Sequence, residues 1–214
     1  MAKSLGRQPK RTTYRHGDLY RALLTSGIEL ARSGGPDAVV LREATRRAGV
    51  APNAAYRHFA NRQTLVQAVS EAAMSLLATT MEAEQAAVRR SKDPASAARA
   101  RLRAVGTGYL RFAQAEPGLF QTAFSVPVDL QLASSAASAG ESGLTPFQLL
   151  SSALDELVEA HVLPPERRMG AEFLAWSAVH GLSMLFIDGP LRSLDSTQKQ
   201  GIGDLLLGMV ERGL

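Results

Sequence analysis

Apolar residues recur three and four positions apart in nearly every segment of this chain that lies between its glycine and proline breaks. That spacing lines one face of an α-helix, whereas a half-buried strand alternates every second residue. After Asp18, a candidate cap, Leu19, Leu23, Leu24, Ile28 and Ala31 share such a face, and Ser33-Gly34-Gly35-Pro36 ends it. A short helix is expected from Leu41 to Ala48 and, after Gly49, a second from Pro52 to His58. Asn61 can cap a long helix running to about Ala87. Asp93 and Pro94 open a helix on Leu102, Val105, Tyr109 and Phe112, which Glu116-Pro117-Gly118 closes. A short apolar piece, Leu119 to Phe124, and an Ala/Ser/Gly-rich loop, Leu132 to Gly143, come next; the loop is expected to be mobile. Thr145 and Pro146 start a helix with Phe147, Leu150, Leu154 and Leu157 on one side. Two more are expected, from Pro165 to Ile187 and from Ser196 to Arg212. The fold class is all-α.

Length and composition bound the rest. The 214 residues suit one large domain or two small ones, and the 45% hydrophobic share allows a sizeable core. With no cysteine, disulfide frameworks, thiolate metal sites and cysteine nucleophiles are excluded, which fits a cytoplasmic location. No apolar run approaches the roughly 20 residues of a membrane span. Met1 to Tyr14 are basic without the apolar stretch of a signal peptide, and are expected to form a flexible cationic arm.

Charge is unevenly spread. Up to Leu65 twelve Lys/Arg stand against four Asp/Glu, a net of +8, while the remainder carries a net of −4. A basic head on an acidic body is expected where one part meets a polyanion and the other does not. A chance cluster of solvated charges is the plainer reading, and the segment Leu41 to Phe59 decides against it. Two short helices joined at Ala48-Gly49-Val50 form a helix-turn-helix, whose second helix can enter the major groove of double-stranded DNA. Gly49 suits a turn that needs a positive φ. Arg42, Arg46, Arg47, Asn53, Tyr56, Arg57 and His58 supply groups that bind phosphates or base edges. Arg46 and Arg47 serve equally well as a solvated outer face.

From Tyr14-Arg15-His16-Gly17-Asp18-Leu19 through Tyr56-Arg57-His58-Phe59 and Asn61-Arg62-Gln63-Thr64-Leu65, the chain closely resembles the N-terminal domain of the tetracycline-repressor (TetR) family. Trp176, His180 and Gly181, followed by Leu182, resemble a C-terminal domain type named after its Trp-His-Gly residues. No diagnostic motif lies between about Ala78 and Pro165. The resemblance implies a three-helix DNA-binding domain over residues 16–65, behind an arm at 1–15, and a helical effector-binding and dimerisation domain over 66–214. It places Tyr56 and His58 on DNA phosphates, and Arg62, where the family usually has Lys, on the same backbone. It sets Pro52, Asn53 and Ala54 nearest the base edges. Asn53 has the hydrogen-bonding capacity for a bidentate pair with adenine, and Arg42 can reach phosphate or guanine. Ala51 replaces the usual Ser or Thr cap of the recognition helix, Ala44 a usual Ile or Val, and Thr45 a usual Ala.

In the body, Tyr109, Phe112, Phe120, Phe124, Trp176, His180 and Met184 can line an effector pocket, although aromatics at helical spacing are more often plain core. Ala178, Leu182, Leu185, Ile202, Leu205, Leu206 and Met209 are candidates for a homodimer interface, because a helix apolar nearly all round needs a cover. The alternative is that the two last helices face each other within one chain. Gly201, Gly203 and Gly208 would let helices approach closely at that interface. Enzyme readings lack support: Gly106-Thr107-Gly108 misses the third glycine of a dinucleotide fingerprint, and Gly140-Glu141-Ser142-Gly143 misses the nucleophile-elbow spacing. The four histidines show no metal-ligand spacing, and no cofactor or metal is expected. The expectation is a dimeric regulator, by resemblance a repressor relieved by a small, mostly apolar effector. An α-helical enzyme and an effector-free architectural DNA protein are the competing classes.

Overall fold

The computed structural model describes residues 16–127 and 135–214, with side chains from Leu19 onward. The proposed arm and the first residues of the Ala/Ser/Gly loop lie outside them. Among the described residues there are helices and no strand: α1 (His16–Ala38), α2 (Leu41–Ala48), α3 (Pro52–Ala55), α4 (Arg62–Ala86), α5 (Pro94–Ala115), α6 (Pro117–Ala123), α7 (Pro146–Glu159), α8 (Pro165–Arg168), α9 (Ala171–Ile187) and α10 (Ser196–Gly213).

Local chemistry sets most of these boundaries. The Asn61 side chain accepts from the Thr64 N–H while Thr64 Oγ1 accepts from the Asn61 N–H, a reciprocal box that starts α4. Thr145 with Gln148 and Asp195 with Gln198 repeat it at α7 and α10. Asp93 accepts from the Ser96 N–H at α5. Two expectations need correction, and one is met. α1 begins at His16, so Asp18 lies inside it. The break expected after Ser33 is present as non-helical Gly34 and Gly35. The helix expected from Pro165 to Ile187 is broken at Gly170, whose φ of 80° no helix accommodates.

α1, α2 and α3 close a small core around Leu23, Leu41, Ala44, Ala55 and Phe59, completed by Leu65 and Val69 from α4. α4 then runs unbroken across residues 65 and 66 into the body, where it packs against α5, α6 and α7. α5 is central, touching α4, α6, α7, α9 and α10. The packing is close enough that Gly106 lies under Leu207 and Gly203 under Leu110. Gly203 and Gly208 therefore serve packing within the chain, and of the three glycines expected at an interface only Gly201 opens onto free space.

The described part of the Ala/Ser/Gly loop is pinned, contrary to expectation. The Glu82 carboxylate accepts from the N–H groups of Glu141 and Ser142, and Ser75 Oγ donates to the Ala139 carbonyl at 2.6 Å.

Candidate functional site

In the head, the α2–α3 turn depends on Gly49, which sits at φ 67° and closes α2 with its N–H on the carbonyls of Thr45 and Arg46. Thr45 is buried and returns its hydroxyl to the Arg42 carbonyl at 2.7 Å, so its polarity costs the core little. Ala51 precedes α3 without a side-chain cap. α3 proper ends at Ala55, and the expected helix continues only as a turn through His58. That turn leaves Pro52, Asn53, Tyr56 and Arg57 exposed on one surface, with Ala54 and His58 half-buried. Tyr56 is 57% exposed, whereas Phe59 is buried and stacks on Tyr20 at 5.1 Å between ring centroids. Phe59 is thus the core aromatic. Tyr20, 6.4 Å from the His58 ring, joins the same surface and carried no motif that marked it.

The arginines divide into two groups. Arg42 and Arg57 are exposed. Arg46 and Arg47 both bond Glu43, at 2.7 Å and 3.2 Å, and these bonds hold its carboxyl down at about 2. Arg62 is anchored within the head while its side chain stays 44% exposed. Its Nε donates to the Val39 carbonyl at 2.9 Å and its Nη2 to the Pro36 carbonyl at 2.6 Å, so it ties the start of α4 to the α1–α2 connection.

The body encloses a cavity of about 510 Å³ walled by α4, α5, α6, α7, α9 and α10. Of the seven expected pocket residues, Tyr109, Phe124 and Trp176 line it. Phe112 is packed into the core instead, and Phe120, His180 and Met184 border a separate crevice that reaches Gly34, Pro36 and Asp37 of the head. Phe124 borders both. Sequence reasoning missed Gln67, Glu71, Met74, Phe147 and the Arg103–Glu211 pair, because their helical positions reveal a face but not what the face meets.

A short polar chain joins cavity and crevice. Trp176 Nε1 donates to the Tyr109 hydroxyl at 3.1 Å, and that hydroxyl lies 2.8 Å from His180 Nδ1. Indole nitrogen only donates, so the Tyr109 hydroxyl accepts from Trp176; in the His180 tautomer with its proton on Nε2, the hydroxyl donates its own proton to Nδ1. Burial raises the Tyr109 pKa and lowers that of His180, keeping both neutral.

The cavity wall is tied together and fastened to the head through α6. Ser70 Oγ donates to the Ala123 carbonyl at 2.9 Å, joining α4 to the end of α6. At the other end of α6, Gly118 presses against α1 so closely that an added Cβ would lie 2.1 Å from the Ala31 carbonyl oxygen. Arg32 and Glu116 pair beside it at 3.0 Å.

On α9 and α10 an apolar row faces outward: Phe173, Leu174, Leu185, Leu205 (73% exposed) and Met209. Leu182, expected in this row, is 7% exposed and packs inward, and Ile202 and Leu206 are half-buried against the chain's own core. Ala178 is half-buried. No helix among the described residues is long and apolar enough to cross a membrane, and none of their His, Asp and Glu side chains group as a metal site.

Two family descriptions match the chain: "Bacterial regulatory proteins, tetR family" over residues 23–69, and "Tetracyclin repressor-like, C-terminal domain" over residues 102–208. No curated protein matches it. Among solved structures, a protein of unknown function from Rhodococcus sp. RHA1 is 25% identical, with a TM-score of 0.73 over 95% of this chain and 99% of that one. The Bacillus subtilis regulator FadR, in complex with stearoyl-CoA, is 14% identical with a TM-score of 0.66 over 91% of this chain and 99% of its own. A TetR variant from Acinetobacter baumannii, in complex with minocycline, is 15% identical with a TM-score of 0.60 over 89% and 93%. With its helix-turn-helix head and its helical, cavity-bearing body both matched, this chain belongs to the TetR family of DNA-binding transcriptional regulators.

Proposed function

We propose that the protein is a homodimeric repressor, released from a near-palindromic DNA site by a small, mostly apolar effector. The observation that carries this reading is the cavity itself, walled by α4 and α6, the two helices that also grip the DNA-binding head. A ligand that fills it changes the packing of elements that set the head's position. DNA and effector then favour different arrangements and weaken each other's binding by the same factor. That two solved structures of this fold hold minocycline and stearoyl-CoA supports a body built for ligands.

The outward row of Phe173, Leu174, Leu185, Leu205 and Met209 supports pairing through α9 and α10 into a four-helix bundle. Gly181 and Gly201 have nothing within 4 Å of where a Cβ would stand, which leaves room for the partner's helices. A two-fold dimer presents two heads to successive major-groove segments. Arg42 and Tyr56 supply phosphate contacts and Asn53 base readout, with Pro52, Ala54, Arg57 and His58 beside them.

Selection from genomic fragments at moderate salt tests the reading. An enriched inverted repeat, from which apolar compounds then displace the protein, is the expected result. Retention without sequence preference would replace it with a phosphate-clamping architectural role. Tyr56→Ala should weaken binding to every sequence, and Asn53→Ala should change the preferred base at one position per half-site.

A further inference from the structure

Two glutamates and one arginine line the cavity: Glu71, Glu211 and Arg103. Two of them answer each other. Arg103 Nη2 donates to Glu211 Oε2 at 2.9 Å, its Nε stands 2.7 Å from Oε1, and Asp204 lies 3.8 Å from its Nη1. Glu71 is different. Its Oε1 accepts from the neutral Gln67 side chain at 2.9 Å, and no Lys or Arg among the described residues pairs with it. The segment from Val128 to Ser134, which follows the cavity-lining Pro127, contains no Lys or Arg either. Glu71 is a half-buried carboxylate that no cationic side chain among the described residues compensates.

The adjoining wall is aromatic. The Ser70–Ala123 bond holds α4 against the end of α6, and the next residues along each are Glu71 and Phe124. The Phe124 ring lies 6.1 Å from Trp176, and Phe147 lies 5.9 Å from Trp176. All three rings line the cavity, with Tyr109 beside them. Aromatic faces carry negative electrostatic potential and attract cations, most strongly where water is excluded.

We propose that the cavity selects lipophilic cations: an apolar body carrying a protonated or quaternary nitrogen, with Glu71 as counter-charge and Phe124, Trp176 and Phe147 as the cation–π wall. An anionic ligand meets the Glu71 carboxylate and an arginine already held by two carboxylates. A volume of about 510 Å³ suits a drug-sized molecule. The proposal deepens the effector reading above and rests on it only for what binding does to DNA.

The test uses the full-length protein without DNA and three probes sharing one naphthylbutyl body, ending in trimethylammonium, hydroxyl or carboxylate. Binding is read by calorimetry and by the fluorescence of Trp176, the chain's one tryptophan. The ammonium probe should bind about tenfold or more tighter than the alcohol. Glu71→Gln should remove that advantage while leaving the alcohol unchanged, and Glu71→Lys should turn the preference toward the carboxylate. Equal binding of ammonium and alcohol, an ammonium preference that survives in both variants, or no binding of any probe overturns the proposal. Release of DNA is measured separately. A cation that binds through Glu71 without releasing DNA sinks the effector reading alone. DNA release by the alcohol as readily as by the ammonium probe sinks the cation proposal alone.

Discussion

The Tyr109 hydroxyl and His180 Nδ1 lie 2.8 Å apart at the boundary between the ligand cavity and the crevice under the DNA-binding head. Trp176 donates to the same hydroxyl, and with the His180 ring proton on Nε2 the Tyr109 proton goes to His180 Nδ1. Burial holds the folded pKa of His180 below its ordinary value near 6.5. Between the folded and unfolded pKa values the unfolded chain binds more protons, so stability rises with pH there. The contribution is complete above about 6.5 and is lost as pH falls through the lowered folded pKa. Thermal melts from pH 8 to 5 should show a fall in Tm that His180→Gln lacks. Identical pH profiles for the two proteins would remove His180 from this role.

Glu43 holds Arg46 and Arg47 by direct hydrogen bonds, which lower its carboxyl to about 2 and keep it charged at neutral pH. Glu43→Gln frees two guanidinium groups on the DNA-facing head. Affinity for DNA of any sequence should rise and fall more steeply with salt, the slope of log affinity against log salt growing by about one to two. An unchanged slope would place both arginines away from the phosphates.

At Gly118 an added methyl meets backbone, the Ala31 carbonyl at 2.1 Å and that of Arg32 at 2.9 Å, so no side-chain rotation relieves it. Gly118→Ala should therefore force α6 away from α1, costing about 1–3 kcal/mol in denaturant unfolding. It should also weaken the effect of ligand on DNA affinity, since α6 joins cavity to head. A variant as stable as the parent would show that the α1–α6 contact yields easily.

Leu205 and Met209 project outward from α10, while Leu182, five residues before the end of α9, is buried within the chain. Leu205→Glu should shift the protein toward monomer in sedimentation velocity with little loss of helicity, because Leu205 is 73% exposed within the chain. Leu182→Glu, in contrast, should unfold the body by burying an unpaired charge. A persistent Leu205→Glu dimer would move the interface off α10.

Features governed by a few adjacent residues were legible in the amino-acid sequence. Asn61, Asp93 and Thr145 start helices because a short polar side chain satisfies nearby N–H groups wherever the chain goes next. Gly49 turns the helix-turn-helix for an equally local reason. The basic head and the apolar faces followed from residue type and spacing alone. Tertiary structure decided what each face meets. Whether Arg62 reaches outward or binds the carbonyls of Pro36 and Val39 depends on a loop 23 to 26 residues away. Phe112 and Trp176 share helical patterning, yet one is core and the other a cavity wall, because six helices converge around the second. Leu182 and Leu185 stand three residues apart on one apolar helix, and only the position of α9 against α5 and α10 turns one inward and leaves the other exposed. A helical period places residues on a face; the burial that gives the face its role is a property of contacts between distant segments.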